Sequence, residues 1–188
     1  TVLGTGKIFH DGYVRATDWH EFRLEPDEAL ARNTQEIALR TTGKLPPGAF
    51  TIGRNVVTPL DVPDSALADH QNATWTIAQL QRRHDQPLFL ALGLRKPHPL
   101  FEVPRRFFEM YPLEKIQLPK VNDHDRDDLP PDGRRMAGPT AEHDEIVKAG
   151  KWREMVQAYR ACITFTDAQL GRVLDALEAS PQRASTLV

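Results

Sequence analysis

Leu88-Phe89-Leu90-Ala91-Leu92-Gly93-Leu94 is an unbroken apolar run, and Arg95-Lys96-Pro97-His98-Pro99 follows it without a spacer, before Leu100 and Phe101. An apolar run of this length, bounded by turn signals and preceded by a helical stretch, predicts a strand buried on both faces, as in a parallel sheet. Pro97 and Pro99 restrict the backbone around His98 to extended forms, so its imidazole is held in place. In open α/β sheets, binding and catalytic groups gather beyond the carboxyl ends of the strands, which is where Lys96 and His98 fall.

Upstream, residues 65–84 read as a helix capped by Asp64 or Ser65. Leu67, Thr74, Ile77, Ala78, Leu80 and Gln81 give it an imperfect apolar face, and Asp85-Gln86-Pro87 ends it. Downstream, residues 104–110 read as a short helix with proline in its first turn. Residues 112–138 form a polar, proline-rich loop. The strongest helical pattern spans 151–179, where Met155, Tyr159, Cys162, Phe165, Thr166, Leu170, Val173, Leu174 and Leu177 recur at helical spacing. Gly171 inside that helix suggests a close packing contact, since glycine there costs about 1 kcal/mol relative to alanine. Cys162 lies on the packing face and reads as a small buried hydrophobe.

Thr1-Val2-Leu3-Gly4-Thr5 reads as a first strand, followed at once by Gly6-Lys7-Ile8-Phe9-His10. Lysine offers a compact positive charge with three donors for an anionic oxygen, and histidine moves protons near neutral pH. Either basic cluster alone also suits a solvated turn. Two of them, each just past a strand, suit a ligand site where strand ends converge. Residues 10–64 read as a long polar excursion, and residues 184–188 as the start of another strand. The layout is β–loop–α–β–loop–α–β, an α/β chain.

The 188 residues carry a net charge of −2 with the signs interspersed, which points away from nucleic acid and anionic membranes as partners. No apolar run approaches the roughly 20 residues of a membrane span. With one cysteine there is no internal disulfide. None of the seven histidines shows close metal-ligand spacing. The run Asp123-His124-Asp125-Arg126-Asp127-Asp128 lacks the glycine and distal glutamate of an EF-hand loop and reads as a solvated loop. No metal site is therefore expected within these residues. The chain opens on an apolar segment and stops where another begins, so the expectation is an internal piece of one larger catalytic domain.

The segment Gly4-Thr5-Gly6-Lys7-Ile8-Phe9-His10 resembles the lysine–histidine motif of the sulfatase family, and Leu88 to Phe101 resembles that family's histidine turn. The stretch from Ala158 to Leu177 and Asp127-Asp128-Leu129-Pro130 also fit, in the expected order. Among sulfatases the set is most similar to the iduronate-2-sulfatase branch. The resemblance implies an alkaline-phosphatase-like α/β fold, with a central, mostly parallel sheet flanked by helices. It also implies a formylglycine nucleophile made from a Cys/Ser-x-Pro-x-Arg motif, a bound Ca2+, and a sulfated glycan or small sulfate ester as substrate. Carried onto this chain, Lys7 holds sulfate and nucleophile oxygens. His10 is the base at the formylglycine hydroxyl, His98 supplies the proton or hydrogen bond at the departing ester oxygen, and Lys96 adds positive charge.

These 188 residues contain no Cys/Ser-x-Pro-x-Arg, no early Asp-Asp pair and no Asp-His/Asn-Gly metal segment, and Cys162 is followed by Ile163-Thr164. Nucleophile and calcium ligands are thus expected outside them, and the piece alone is expected to be inactive. Two other readings share the turns: a phosphodiesterase or phosphonate monoester hydrolase of the same superfamily, and a non-catalytic, carbohydrate-binding relative. Trp19, His20, Arg23 and Arg40 could meet a sugar or carboxylate, but in such variable loops a surface role is the first expectation for each. The resemblance implies a periplasmic or secreted setting, and the sequence leaves oligomeric state open.

Overall fold

The computed structural model describes residues 1–10, 13–24, 43–122, 124–138 and 141–188. Six strands and five helices are numbered here in chain order among these residues: β1 (Val2–Gly6), β2 (Glu21–Arg23), β3 (Phe50–Ile52), β4 (Asn55–Leu60), β5 (Phe89–Gly93) and β6 (Phe101–Pro104), with α1 (Ala68–Leu80), α2 (Arg105–Glu109), α3 (Pro131–Met136), α4 (Ala141–Lys148) and α5 (Trp152–Glu178).

The first sheet has the order β2-β1-β5 and is parallel throughout. Its central pairing sets Leu3 opposite Leu90, Thr5 opposite Leu92 and Gly6 opposite Gly93. The predicted strand over 88–94 is therefore present and parallel. Its burial is less than expected, since Phe89 is 61% exposed and Leu90 to Leu92 are only partly covered. The reason is topological: among the described residues β5 pairs with β1 alone and lies at the sheet edge.

A second sheet, β3-β4-β6, draws β3 and β4 from the stretch read as irregular loop. β3 and β4 form an antiparallel hairpin, and β4 runs parallel to β6. Pro59 sits inside β4, where it lacks an N–H to donate. The fold accommodates it because Pro59 lies beyond the register with β3, which ends at the pairing of Phe50 with Val57, and is paired only with Val103. Thr58 and Glu102, opposite each other and both buried, are joined by a 2.8 Å bond from the threonine hydroxyl to the carboxylate.

The apolar core lies between this second sheet, α2 and α5. Val57, Leu60, Phe101, Val103, Phe107, Phe108, Ala161 and Phe165 are buried together there. Phe107 and Phe165 meet edge to face, with centroids 5.4 Å apart. Cys162 is wholly buried in the same cluster, and burial pushes its thiol up to about 12, as befits a packing residue.

α1 differs from its sequence reading in two ways. Neither Asp64 nor Ser65 caps it. They begin a 3-10 turn over Asp64–Ala66, and the Asp64 carboxylate instead pairs with Arg106 at 2.5 Å. Its buried side chains are Asp69, Asn72, Ala73, Thr76, Gln79 and Leu80, whereas Thr74 and Ala78 face solvent. At Gly171 in α5, an added Cβ would meet nothing within 4 Å, so no close contact exists there. Residues 184–188 form no strand. A 3-10 turn over Arg183–Ser185 gives way to Leu187 and Val188, 99% and 98% exposed, and no described strand lies alongside to pair with them.

Candidate active site

Both basic turns leave the first sheet at the same level. Gly6 and Gly93 are register partners at the carboxyl ends of β1 and β5, and the Lys7 amide donates to the Gly93 carbonyl at 3.1 Å. The approach is closer than any side chain permits. A Cβ on Gly6, whose φ is +76°, would lie 1.9 Å from the Gly93 carbonyl oxygen, and one on Gly93 would lie 2.2 Å from the Lys7 carbonyl carbon. Glycine at both positions lets the Lys7–His10 turn and the Arg95–Pro99 turn emerge side by side. The four residues singled out from the sequence, Lys7, His10, Lys96 and His98, all sit on these two turns.

The turn after β5 is held by its backbone. Asp69 on α1 is 3% exposed and accepts the Arg95 amide at 2.8 Å and the Lys96 amide at 2.9 Å. Burial raises the Asp69 carboxyl above its ordinary value, while the two amide bonds and the Lys96 and Arg95 charges act against that rise. Thr166 on α5 donates to the Lys96 carbonyl at 3.0 Å. The Lys96 ammonium turns back to the Leu100 carbonyl at 2.5 Å, which closes the turn and leaves two further N–H donors on that nitrogen.

His98 is exposed, and its Nδ1 is hydrogen-bonded to the Pro99 carbonyl. A carbonyl only accepts, so Nδ1 carries a proton and Nε2 is the nitrogen that exchanges one with a ligand. On the other turn, His10 is exposed and its ring meets Tyr13 edge-on at 6.2 Å. Lys7 is half-buried. Two lysines and two histidines on adjacent strand-end turns are the residue types that bind a tetrahedral oxyanion and protonate a leaving oxygen.

The turn after β1 is supported from below. Thr5 Oγ lies 3.0 Å from Asn72 Oδ1 and 3.1 Å from the Arg23 carbonyl, and Arg23 Nη1 donates to the same Asn72 oxygen at 3.2 Å. The Trp19 ring packs against Gly4 and Phe22, and His20 Nδ1 accepts the Val2 amide at 3.0 Å. Trp19, His20 and Arg23 therefore brace the strands, and Arg40 lies outside the described residues. Sequence reading passed over Asp69 and Asn72 and took Thr166 only as part of the helix packing face. The first two carried a signal: polar residues spaced i, i+3 on a helix that precedes a buried strand.

Calcium needs a set of oxygen ligands, six or more in most sites. Among the described residues no group of three or more His, Cys, Asp or Glu is close enough to hold a metal ion. The described residues thus do not furnish a calcium site. Asp123, in the acidic run, lies outside them.

The pattern of the family described as Sulfatase matches residues 26–188 of this chain. A protein named Sulfatase from Formosa agariphila is 40% identical over 129 residues, which cover 66% of this chain and 25% of that protein. The human protein named Iduronate 2-sulfatase is 30% identical over 211 residues, covering 99% of this chain and 36% of its own length. Its mouse counterpart is 31% identical over 198 residues, covering 94% and 34%. The chain thus spans between 25% and 36% of the length of these curated relatives. Parallel strands flanked by helices are the architecture of the alkaline-phosphatase-like fold, and the chain belongs to the sulfatase family, near its iduronate-2-sulfatase branch.

Proposed function

We propose that this chain is the interior part of a sulfatase catalytic domain and supplies the cationic and proton-transferring half of a site that hydrolyses a sulfate ester. One observation carries the reading: the Lys7 and His98 turns start from paired glycines of adjacent parallel strands, so two turns that each bear a lysine and a histidine emerge side by side.

Sulfuryl transfer builds charge on the peripheral and leaving oxygens, so fixed cations and a general acid are the useful groups. Lys7 binds the sulfate oxygens and Lys96 adds positive charge beside them. His98, with Nδ1–H on the Pro99 carbonyl, directs Nε2–H at the ester oxygen as the alcohol leaves. His10, exposed on the opposite turn, is the base when sulfate departs. The family's formylglycine supplies the attacking oxygen and its Ca2+ supplies Lewis acidity; both are assigned to the rest of the whole protein. The substrate is a sulfated sugar or glycan, or a small sulfate ester. An iduronate-2-sulfate unit is the first glycan to try, because two of the relatives bear that name.

The test is to express the complete protein with a formylglycine-generating enzyme and offer it aryl sulfates, a 2-sulfated iduronate disaccharide, a phosphodiester and a phosphonate monoester. Sulfate release that falls at least a hundredfold in Lys7→Ala and His98→Ala supports the reading. Preference for the phosphorus esters assigns the chain to another branch of the superfamily, and no turnover of any ester refutes the enzyme reading. The purified 188 residues alone release no sulfate.

A further inference from the structure

One helix reaches both turns of the site. On α1, Asp69 accepts the Arg95 and Lys96 amides, and Asn72 receives Thr5 Oγ two residues before Lys7. Asp69 and Asn72 are three positions apart, hence on one face with Cβ atoms about 5–6 Å apart. Neighbouring strands lie about 4.7–4.9 Å apart. The spacing of two side chains on the helix therefore matches the spacing of the two strands whose ends carry the turns.

Burying a carboxylate and a carboxamide here is costly unless each is hydrogen-bonded. Asn72 is fully buried and its Nδ2 has no partner among the described residues, so this face is not arranged for stability alone. Lys96 is gripped at both backbone poles, its amide by Asp69 from α1 and its carbonyl by Thr166 from α5. Two residues later comes His98.

Resting on the sulfatase reading above, we propose that Asp69 is the positioning residue of the site: its two carboxylate oxygens set the turn that presents Lys96 and His98, level with the Lys7 turn that Asn72 steadies from the same helix. Asp69 touches no reacting atom. It acts through the backbone it fixes, and about 1 Å of misplacement at a reacting group is enough to lower a rate about a hundredfold.

The test is Asp69→Asn in the complete protein. Asparagine keeps one acceptor and turns an NH2 toward the second amide, so one of the two bonds is lost. Amide hydrogen exchange of the peptide spanning 94–101 is expected to quicken at least tenfold, while residues 1–6 keep their wild-type rates. On sulfate esters kcat is expected to fall about a hundredfold with KM little changed. The loss is largest for alkyl esters, whose poor leaving groups depend on His98, and smallest for 4-nitrophenyl sulfate. Asp69→Glu, with both acceptors restored, regains part of the exchange protection. Unchanged exchange at 94–101 in a folded Asp69→Asn protein overturns the proposal, and so does faster exchange spread evenly over the chain. If Asp69→Asn does not fold, Thr166→Val releases the same turn from α5 and is read by the same exchange. A wild-type protein inactive on every sulfate ester removes the sulfatase reading, while exchange still decides whether Asp69 sets the turn.

Discussion

The Lys7 amide donates to the Gly93 carbonyl at 3.1 Å, so the proposed sulfate-binding lysine is tied to the end of the strand that leads to His98. Gly93→Ala drives a methyl group against the Lys7 carbonyl and the Ile8 amide, at 2.2–2.5 Å from backbone atoms that have no rotamer to escape into. A destabilisation of about 1–3 kcal/mol is expected by urea unfolding of the complete protein. Sulfate-ester turnover falls further than stability does, because the strain lands on the turn itself.

Gly171→Ala is the opposite case. Its Cβ points into open space on α5, and the helix gains alanine's propensity. Stability rises by about 0.5–1 kcal/mol, read as a higher denaturant midpoint at unchanged m-value.

Phe165 is fully buried against Phe107 in the main core. Phe165→Ala lowers stability by about 3–5 kcal/mol. Phe165→Leu, closer in volume, loses much less, and the same unfolding curves rank the two.

Burial pushes the Cys162 thiol from its ordinary 9.0 up to about 12, which favours the protonated form in the folded state. Its folded value is thus raised above the unfolded one. The associated stability is fully present below pH 9.0 and is lost as pH rises from there toward about 12. Within that window this group contributes a fall of at most about 1.4 kcal/mol per pH unit, which Cys162→Ala abolishes. A thiol reagent at pH 8 is expected to label Cys162 only after unfolding.

β5 and α5 were legible as elements because their apolar residues run continuously or recur at helical spacing, although Phe89, Tyr159, Leu170 and Leu174 are exposed in the fold. The turns that carry Lys7, His10, Lys96 and His98 were legible as turns because each follows directly on a strand, β1 or β5. α1 was visible as a helix, and Leu67 and Leu80 are buried as read, yet Asp69 and Asn72 also turn inward to serve a loop and a strand end, which hydrophobic periodicity does not register. β3 and β4 escaped because they are short and carry Asn55, Thr58 and Pro59; β3 pairs with β4 alone, and β4 gains its second ladder from β6 more than forty residues away. Pairing at such distance leaves no local mark.

Phe165 and Thr166 are adjacent in α5, yet the first belongs to the apolar core and the second grips the Lys96 carbonyl of the site. Heat that loosens the packing around Phe165 must also loosen the turn that carries His98. Thermal inactivation and loss of tertiary structure should therefore run together on one curve, with no temperature range in which the enzyme is folded but silent.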